Sequence, residues 1–125
     1  MSSPEDRRYS ESHEWFKVDG DEVTIGITTH ATEALTDITY VEMKPPGTSL
    51  SAGDPAGEVE SVKTTSDIYT AIPGEVLEAN GAVVDDPSLV NSDPYGEGWL
   101  VRIKAADVSA LETLMTADAY DQMNG

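Results

Sequence analysis

Apolar and polar residues alternate from His13 through Trp15, Phe16, Lys17 and Val18, pause at Asp19-Gly20-Asp21, and resume at Val23, Ile25 and Ile27. A period of two on either side of a glycine turn predicts a β-hairpin. Thr29–Leu35 reads as a short helical turn, and Ile38–Met43 as a further strand. Lys44-Pro45-Pro46-Gly47 closes that strand, because proline cannot continue a hydrogen-bonded ladder. After a turn at Ser51–Pro55, Glu58–Val62 and Ile68–Ile72 read as strands, with the polar Lys63–Asp67 as the hairpin loop between them. Pro73-Gly74 turns the chain into Glu75–Ala79. Asp86–Asn91 predicts one more short helix and Trp99–Lys104 a last strand. The period then lengthens. Ser109-Ala110-Leu111-Glu112 matches a capping box, and Val108, Leu111, Leu114 and Met115 share one helical face.

Short strands spaced eight to a dozen residues apart predict a mainly β fold, a small sandwich or barrel with a helix packed at its end. No internal stretch has linker composition, so residues 1–125 read as one domain. Polar residues 1–8 form a loose lead-in.

Composition sharpens this picture. The 125 residues contain 24 Asp and Glu against 7 Lys and Arg, a formal charge of −17, and no cysteine. Seven scattered cations cannot form the basic footprint that nucleic acid or an anionic membrane demands. No apolar run reaches the length of a membrane span, and Met1–Asp6 lacks a signal-peptide core. Without cysteine there are no disulfides, thiolate metal sites or thiol nucleophiles. The expected location is cytoplasmic. The acids are dispersed, as on a solvated surface whose self-repulsion is screened by salt, and a halophilic habitat is the expectation.

Catalytic tools are scarce. Gly96-Glu97-Gly98 neither follows a strand nor opens a helix, so it is no dinucleotide loop. His13 and His30 lack the companions of a hydrolytic triad and read as structural or surface groups. Pairs such as Asp85-Asp86 and Glu58/Glu60 arise by chance in so acidic a chain. Trp15 and Trp99 read as core anchors rather than stacking platforms. Lys63 is harder to dismiss. It is one of four lysines, it lies in the hairpin loop, and Glu58, Glu60 and Asp67 are close in sequence. An exposed lysine there suits modification by another enzyme better than chemistry of its own. On the residues alone a solvated turn lysine remains the competing reading.

Val59-Glu60-Ser61-Val62-Lys63-Thr64-Thr65-Ser66-Asp67-Ile68-Tyr69 resembles the lipoylation segment of the glycine cleavage system H proteins. Tyr9–Trp15, Val23–Thr28, Glu33–Ile38, Pro73–Val76 and Leu89–Leu100 resemble further segments of that family, in order, over nearly the whole chain. The resemblance implies a sandwich of two small antiparallel sheets, a lipoyl-domain-like barrel-sandwich hybrid with short helices and a C-terminal helix. It implies lipoate held covalently by an amide on Lys63. The implied role is a shuttle that is itself no enzyme. A PLP-dependent glycine decarboxylase loads the aminomethyl group of glycine onto a lipoyl sulfur, and an aminomethyltransferase passes it to tetrahydrofolate. A flavin-containing dihydrolipoyl dehydrogenase reoxidises the arm, and lipoyl-attaching enzymes install it. Ser12, Glu14 and Asp67 match motif positions that could line a cleft for the loaded arm, with Glu14 as partner of its amine. A monomer is expected. Thr36 departs from the family pattern, where glycine is common, and Lys44 stands where proline is usual.

Neighbouring classes fit less well. Biotin carriers flank their lysine with methionines, where Val62 and Thr64 stand here, and lipoyl domains of 2-oxoacid dehydrogenases put an acid where Val62 stands. Two alternatives remain: a relay that hands lipoate to other apoproteins, and an unmodified binding module, which intact mass distinguishes.

Overall fold

The computed structural model describes residues 4–105 and 107–124. Arg8–Tyr9 (β1), Glu14–Asp19 (β2) and Glu22–Ile27 (β3) open the chain, followed by Thr29–Leu35 (α1) and Ile38–Met43 (β4). Ser49–Leu50 (β5), Pro55–Ser61 (β6), Thr65–Tyr69 (β7) and Gly74–Ala79 (β8) come next. Gly81–Asp85 (α2), Ser88–Ser92 (α3), Val101–Ala105 (β9), a 3-10 helix over Val108–Thr113 and Ala117–Asn124 (α4) complete it. The strands form a six-stranded sheet, β1-β2-β3-β9-β8-β5, and a three-stranded sheet, β4-β6-β7. Every pairing is antiparallel. The expected two-sheet sandwich with short helices and a C-terminal helix is what the chain adopts.

Alternation explains which faces meet. Val23, Ile25, Ile27, Val101 and Ile103 from the larger sheet, and Val41, Val59 and Ile68 from the smaller, are all buried in one core. Each such side chain contributes about 1.5–3 kcal/mol by leaving water. A second cluster forms around Tyr9, Trp15, Ala117 and Tyr120. Trp15 lies across its strand partner Gly26, where a Cβ would collide with the indole ring. Its N–H donates to the carbonyls of Ile27 (3.1 Å) and Pro94 (3.0 Å). Trp99, by contrast, is only half-buried, with the Arg102 guanidinium 4.8 Å from its ring centroid.

Several elements depart from expectation. Of the expected loose lead-in, residues 1–3 lie outside the described residues, while its end is tied down: Arg8 pairs with Phe16, and the Arg7 guanidinium lies 4.5 Å from the Trp15 ring centroid. The helix expected from the capping box at Ser109 is displaced. Asp107 caps instead, accepting from the Ser109 N–H at 2.9 Å, and only a 3-10 turn follows. Leu114 leaves the helix in extended conformation, because the Met115 backbone exchanges two hydrogen bonds with Tyr9. The C-terminal α-helix begins after Thr116, one segment later than the periodicity suggests. Gly81–Asp85 was not foreseen; the Asn80 side chain starts it by accepting from the Ala82 N–H. The lysine loop is tighter than expected, since Thr65, Ser66 and Asp67 pair with Glu60, Val59 and Glu58. The following strand ends early at Tyr69, where the Thr70 hydroxyl donates to the Ile72 carbonyl at 2.7 Å just before Pro73.

Candidate functional site

Two well-paired strands leave only Val62, Lys63 and Thr64 outside the β6–β7 ladder. Ser61 organises them. Its N–H donates to the Thr64 carbonyl (2.8 Å), and its hydroxyl oxygen accepts from the N–H groups of Lys63 and Thr64, both at 3.1 Å. One external bond holds the turn to the body of the protein, from the Val62 N–H to the Asp37 carbonyl at 3.1 Å. Lys63 is exposed. Its Nζ makes one long hydrogen bond, 3.5 Å to the Ala34 carbonyl in the last turn of α1, where the negative end of a helix favours a cation. The side chain is thus presented on a rigid stem and lightly held. Val62 beside it is 68% exposed, the most exposed large hydrophobic side chain among the described residues. The geometry suits reaction of the amine with a large external partner.

The smaller sheet carries this hairpin and has a distinct outer face. Glu42, Glu58 and Asp67 stand directly opposite one another across β4, β6 and β7. Tyr40 donates to Glu42 at 2.9 Å, and Tyr69 to Asp67 at 3.4 Å. A cleft of about 480 Å³ opens among Glu42, Met43, Lys44, Gly57, Glu58 and Asp67.

Ser12 and Glu14 lie together elsewhere. Glu14 is 1% exposed. It accepts from the hydroxyls of Ser10 and Ser12, both at 2.5 Å, and from the Tyr69 N–H at 3.2 Å. Burial pushes its carboxyl up from the ordinary carboxylate range, while these three donors pull the other way. Glu14 belongs to the larger sheet and Tyr69 to the smaller, so this carboxylate links them. Ser12 opens on a second cleft, of about 450 Å³, with Tyr9, Ser10, Leu114 and Met115. The structure therefore brings Ser12 and Glu14 together but puts Asp67 on the outer face. Tyr69 joins the two places, its N–H on Glu14 and its hydroxyl on Asp67.

Sequence reasoning missed the contribution of Ser10, whose hydroxyl contacts the same carboxylate oxygen as that of Ser12. It also missed a cluster behind it. His13, at a left-handed φ of 72°, has its Nδ1 2.6 Å from the Tyr120 hydroxyl, and its ring lies tilted against that of His30, with centroids 4.4 Å apart. Burial and the neighbouring His30 push the His13 imidazole below its ordinary value. Among the described residues no group of three or more acids and histidines is arranged to hold a metal ion, and no helix is long and apolar enough to cross a membrane.

A two-sheet sandwich offering an exposed lysine at the tip of a stiff hairpin is a scaffold suited to carrying a group on that amine. Comparison with known proteins narrows the class. Residues 7–124 match the model of the glycine cleavage H-protein family. A glycine cleavage system H protein of Thermoanaerobacter sp. (strain X514) is 54% identical over 112 residues, 90% of this chain and 88% of that one. That of Paraburkholderia xenovorans (strain LB400) is 52% identical over 126 residues, 100% of this chain and 99% of that one. The crystal structure of a glycine cleavage system H protein from Mycobacterium marinum superposes with a TM-score of 0.89 at 42% identity, covering 98% of this chain and 99% of that one. The chain belongs to the glycine cleavage H-protein family.

Proposed function

We propose that this protein is the lipoyl-carrying shuttle of a glycine cleavage system, with residues 1–125 acting as one carrier domain and Lys63 as the point of attachment. The observation that carries the reading is the exposed Lys63 amine on a turn whose N–H groups are bonded by Ser61 and Asp37. The hairpin fits an amide-linked group: acylation at Nζ gives up only the long bond to Ala34 and buries nothing. When bound, lipoate supplies a dithiolane that accepts and releases the aminomethyl group. The protein's own contribution is positional. A short stem and a tethered group turn encounters with a decarboxylase, an aminomethyltransferase and a dihydrolipoyl dehydrogenase into delivery at high effective concentration. The chain serves as a substrate of these partners and of the lipoyl-attaching enzymes.

Two regions are proposed for the loaded arm. Asp67 lies on β7 two residues past its start at Thr65, about 7 Å at the rise of an extended strand. The exposed Ser12 leads to Glu14. Glu14 Oε1 already accepts from two hydroxyls while Oε2 accepts from the Tyr69 N–H, so an incoming amine adds a charge-assisted bond at Oε2 or replaces a serine hydroxyl at Oε1. Glu14→Ala is expected to speed hydrolysis of the loaded arm; unchanged hydrolysis removes Glu14 from the site.

Intact mass after growth with lipoate tests attachment. The native chain is expected to gain one lipoyl group and Lys63→Arg none, with the same melting temperature. A bare polypeptide under those conditions favours the unmodified binding module instead.

A further inference from the structure

Beyond the β4–β6 ladder, Val62 makes the lysine turn's own backbone bond to the body of the protein, and it makes it to a strained turn. Asp37 lies between Thr36, whose φ of 65° and ψ of −141° fall where β-branched residues are genuine outliers, and Ile38, which starts β4. One side chain grips both flanks. The Asn91 amide, projecting from α3, accepts from the Ile38 N–H at 2.9 Å and donates to the Thr36 carbonyl at 2.7 Å. Those bonds span 53 and 55 residues of sequence. They hold the peptide groups on either side of Asp37, and so aim the carbonyl that receives Val62. The same turn ends α1, whose Ala34 carbonyl receives the Lys63 Nζ.

We propose that Asn91 is a positioning residue for Lys63: by clamping the Thr36–Ile38 turn it holds the lysine hairpin in the orientation in which its amine is acylated. This rests on Lys63 being the attachment point. Asparagine suits the task because a single planar amide offers a donor and an acceptor side by side. An aspartate keeps only the acceptor, and an alanine neither. Small displacements of a nucleophile are expensive in rate, because alignment is what converts encounter into reaction.

The test uses the full, unlipoylated chain and a purified lipoate–protein ligase. In Asn91→Ala, hydrogen exchange at the Val62 amide is expected to rise about tenfold while Val59 and Ile68, in the same sheet, keep their protection. The kcat for acylation of Lys63 is expected to fall about tenfold at unchanged KM. Adding Thr36→Gly, which lets the turn hold its left-handed geometry unaided, is expected to restore both. Asn91→Asp gives an intermediate effect and replaces Asn91→Ala if that variant does not fold. An unchanged Val62 amide overturns the proposal, as does a rise shared equally by Val59 and Ile68 or an unchanged kcat in Asn91→Ala. A native chain that the ligase does not acylate refutes the attachment reading instead, and the exchange data still decide whether Asn91 holds the hairpin.

Discussion

In the six-stranded sheet Arg102 lies 2.8 Å from Glu78 and 4.0 Å from Glu22, and Arg8, Lys17 and Lys104 share its strands with Glu14, Asp19, Glu22, Glu75 and Glu78. In the three-stranded sheet Glu42, Glu58, Glu60 and Asp67 share the strands with no lysine or arginine at all. None of those four acids enters an ion pair among the described residues. Like charges directly opposite on neighbouring strands oppose pairing, so the outer face of the smaller sheet adds no charge pairing to what its ladder and buried inner face supply. The larger sheet adds a second cluster and charge pairing on its surface. The difference teaches where stability and presentation reside. The larger sheet is the anchor; the smaller one is a platform whose outer face stays hydrated and negative beside the lysine hairpin.

The largest expected effect tests the anchor. Trp15→Ala removes a fully buried ring and both of its N–H bonds, and should lower unfolding free energy by about 3–5 kcal/mol in urea titration. A loss under about 1 kcal/mol breaks the assignment of stability to that side.

Glu14 sharpens the boundary between the sheets. Glu14→Ala strands the Ser10 and Ser12 hydroxyls and the Tyr69 N–H, and should destabilise by about 1–3 kcal/mol. The pH dependence has a definite sign. The folded carboxyl titrates above its ordinary value, so across that window the folded protein holds the proton more tightly than the unfolded chain. Stability from this group is therefore full at acid pH and declines as pH rises through the folded value. Melting curves at several pH values should show the gap between native chain and Glu14→Ala narrowing toward neutrality.

Much of the anchor was legible because alternation needs only local information. Val23, Ile25 and Ile27 announce a strand whatever they pair with. The order of strands within the larger sheet was not, since Ile25 opposite Val101 is an outcome of long-range packing. Lys63 was legible through its motif and its place between two strands. Glu14 was not legible as a buried group: an acid at the head of a strand reads as solvent-exposed, and only the three-dimensional approach of Ser10, Ser12 and Tyr69 makes its burial tolerable. The displaced C-terminal helix has a similar cause. Leu114 and Met115 carry a helical pattern, but the Met115 backbone finds β-type partners in Tyr9, distant in sequence. Thr36 itself hides its positive φ, because threonine avoids that region; the glycine common at this place in the resembled family was the one hint of it.

That residue supplies the next prediction, on the platform side. Thr36→Gly relieves the unfavourable backbone conformation and loosens the unfolded chain, and the first effect is the larger. A net gain of about 1 kcal/mol is expected by urea titration. A loss would mean that the Thr36 side chain, whose hydroxyl donates to the Leu35 carbonyl at 2.5 Å, stabilises the turn more than its backbone strains it.

The smallest effect bears most directly on the comparison. Glu58 is the middle carboxylate of the cross-strand row, facing Glu42 on one side and Asp67 on the other. Glu58→Gln keeps its size and removes both repulsions at once, which for partly exposed charges amounts to about 0.5 kcal/mol in low salt. Glu78→Gln on the larger sheet does the reverse, taking a partner from Arg102, and should destabilise by a similar small amount. Both changes should fade as salt is raised, since screening shortens the reach of surface charges. Opposite signs at low salt, converging at high salt, are the signature of one self-repelling sheet and one self-neutralising sheet. Equal signs would show that the acids of the two sheets answer only to the net charge of −17, and that their placement opposite one another is without consequence.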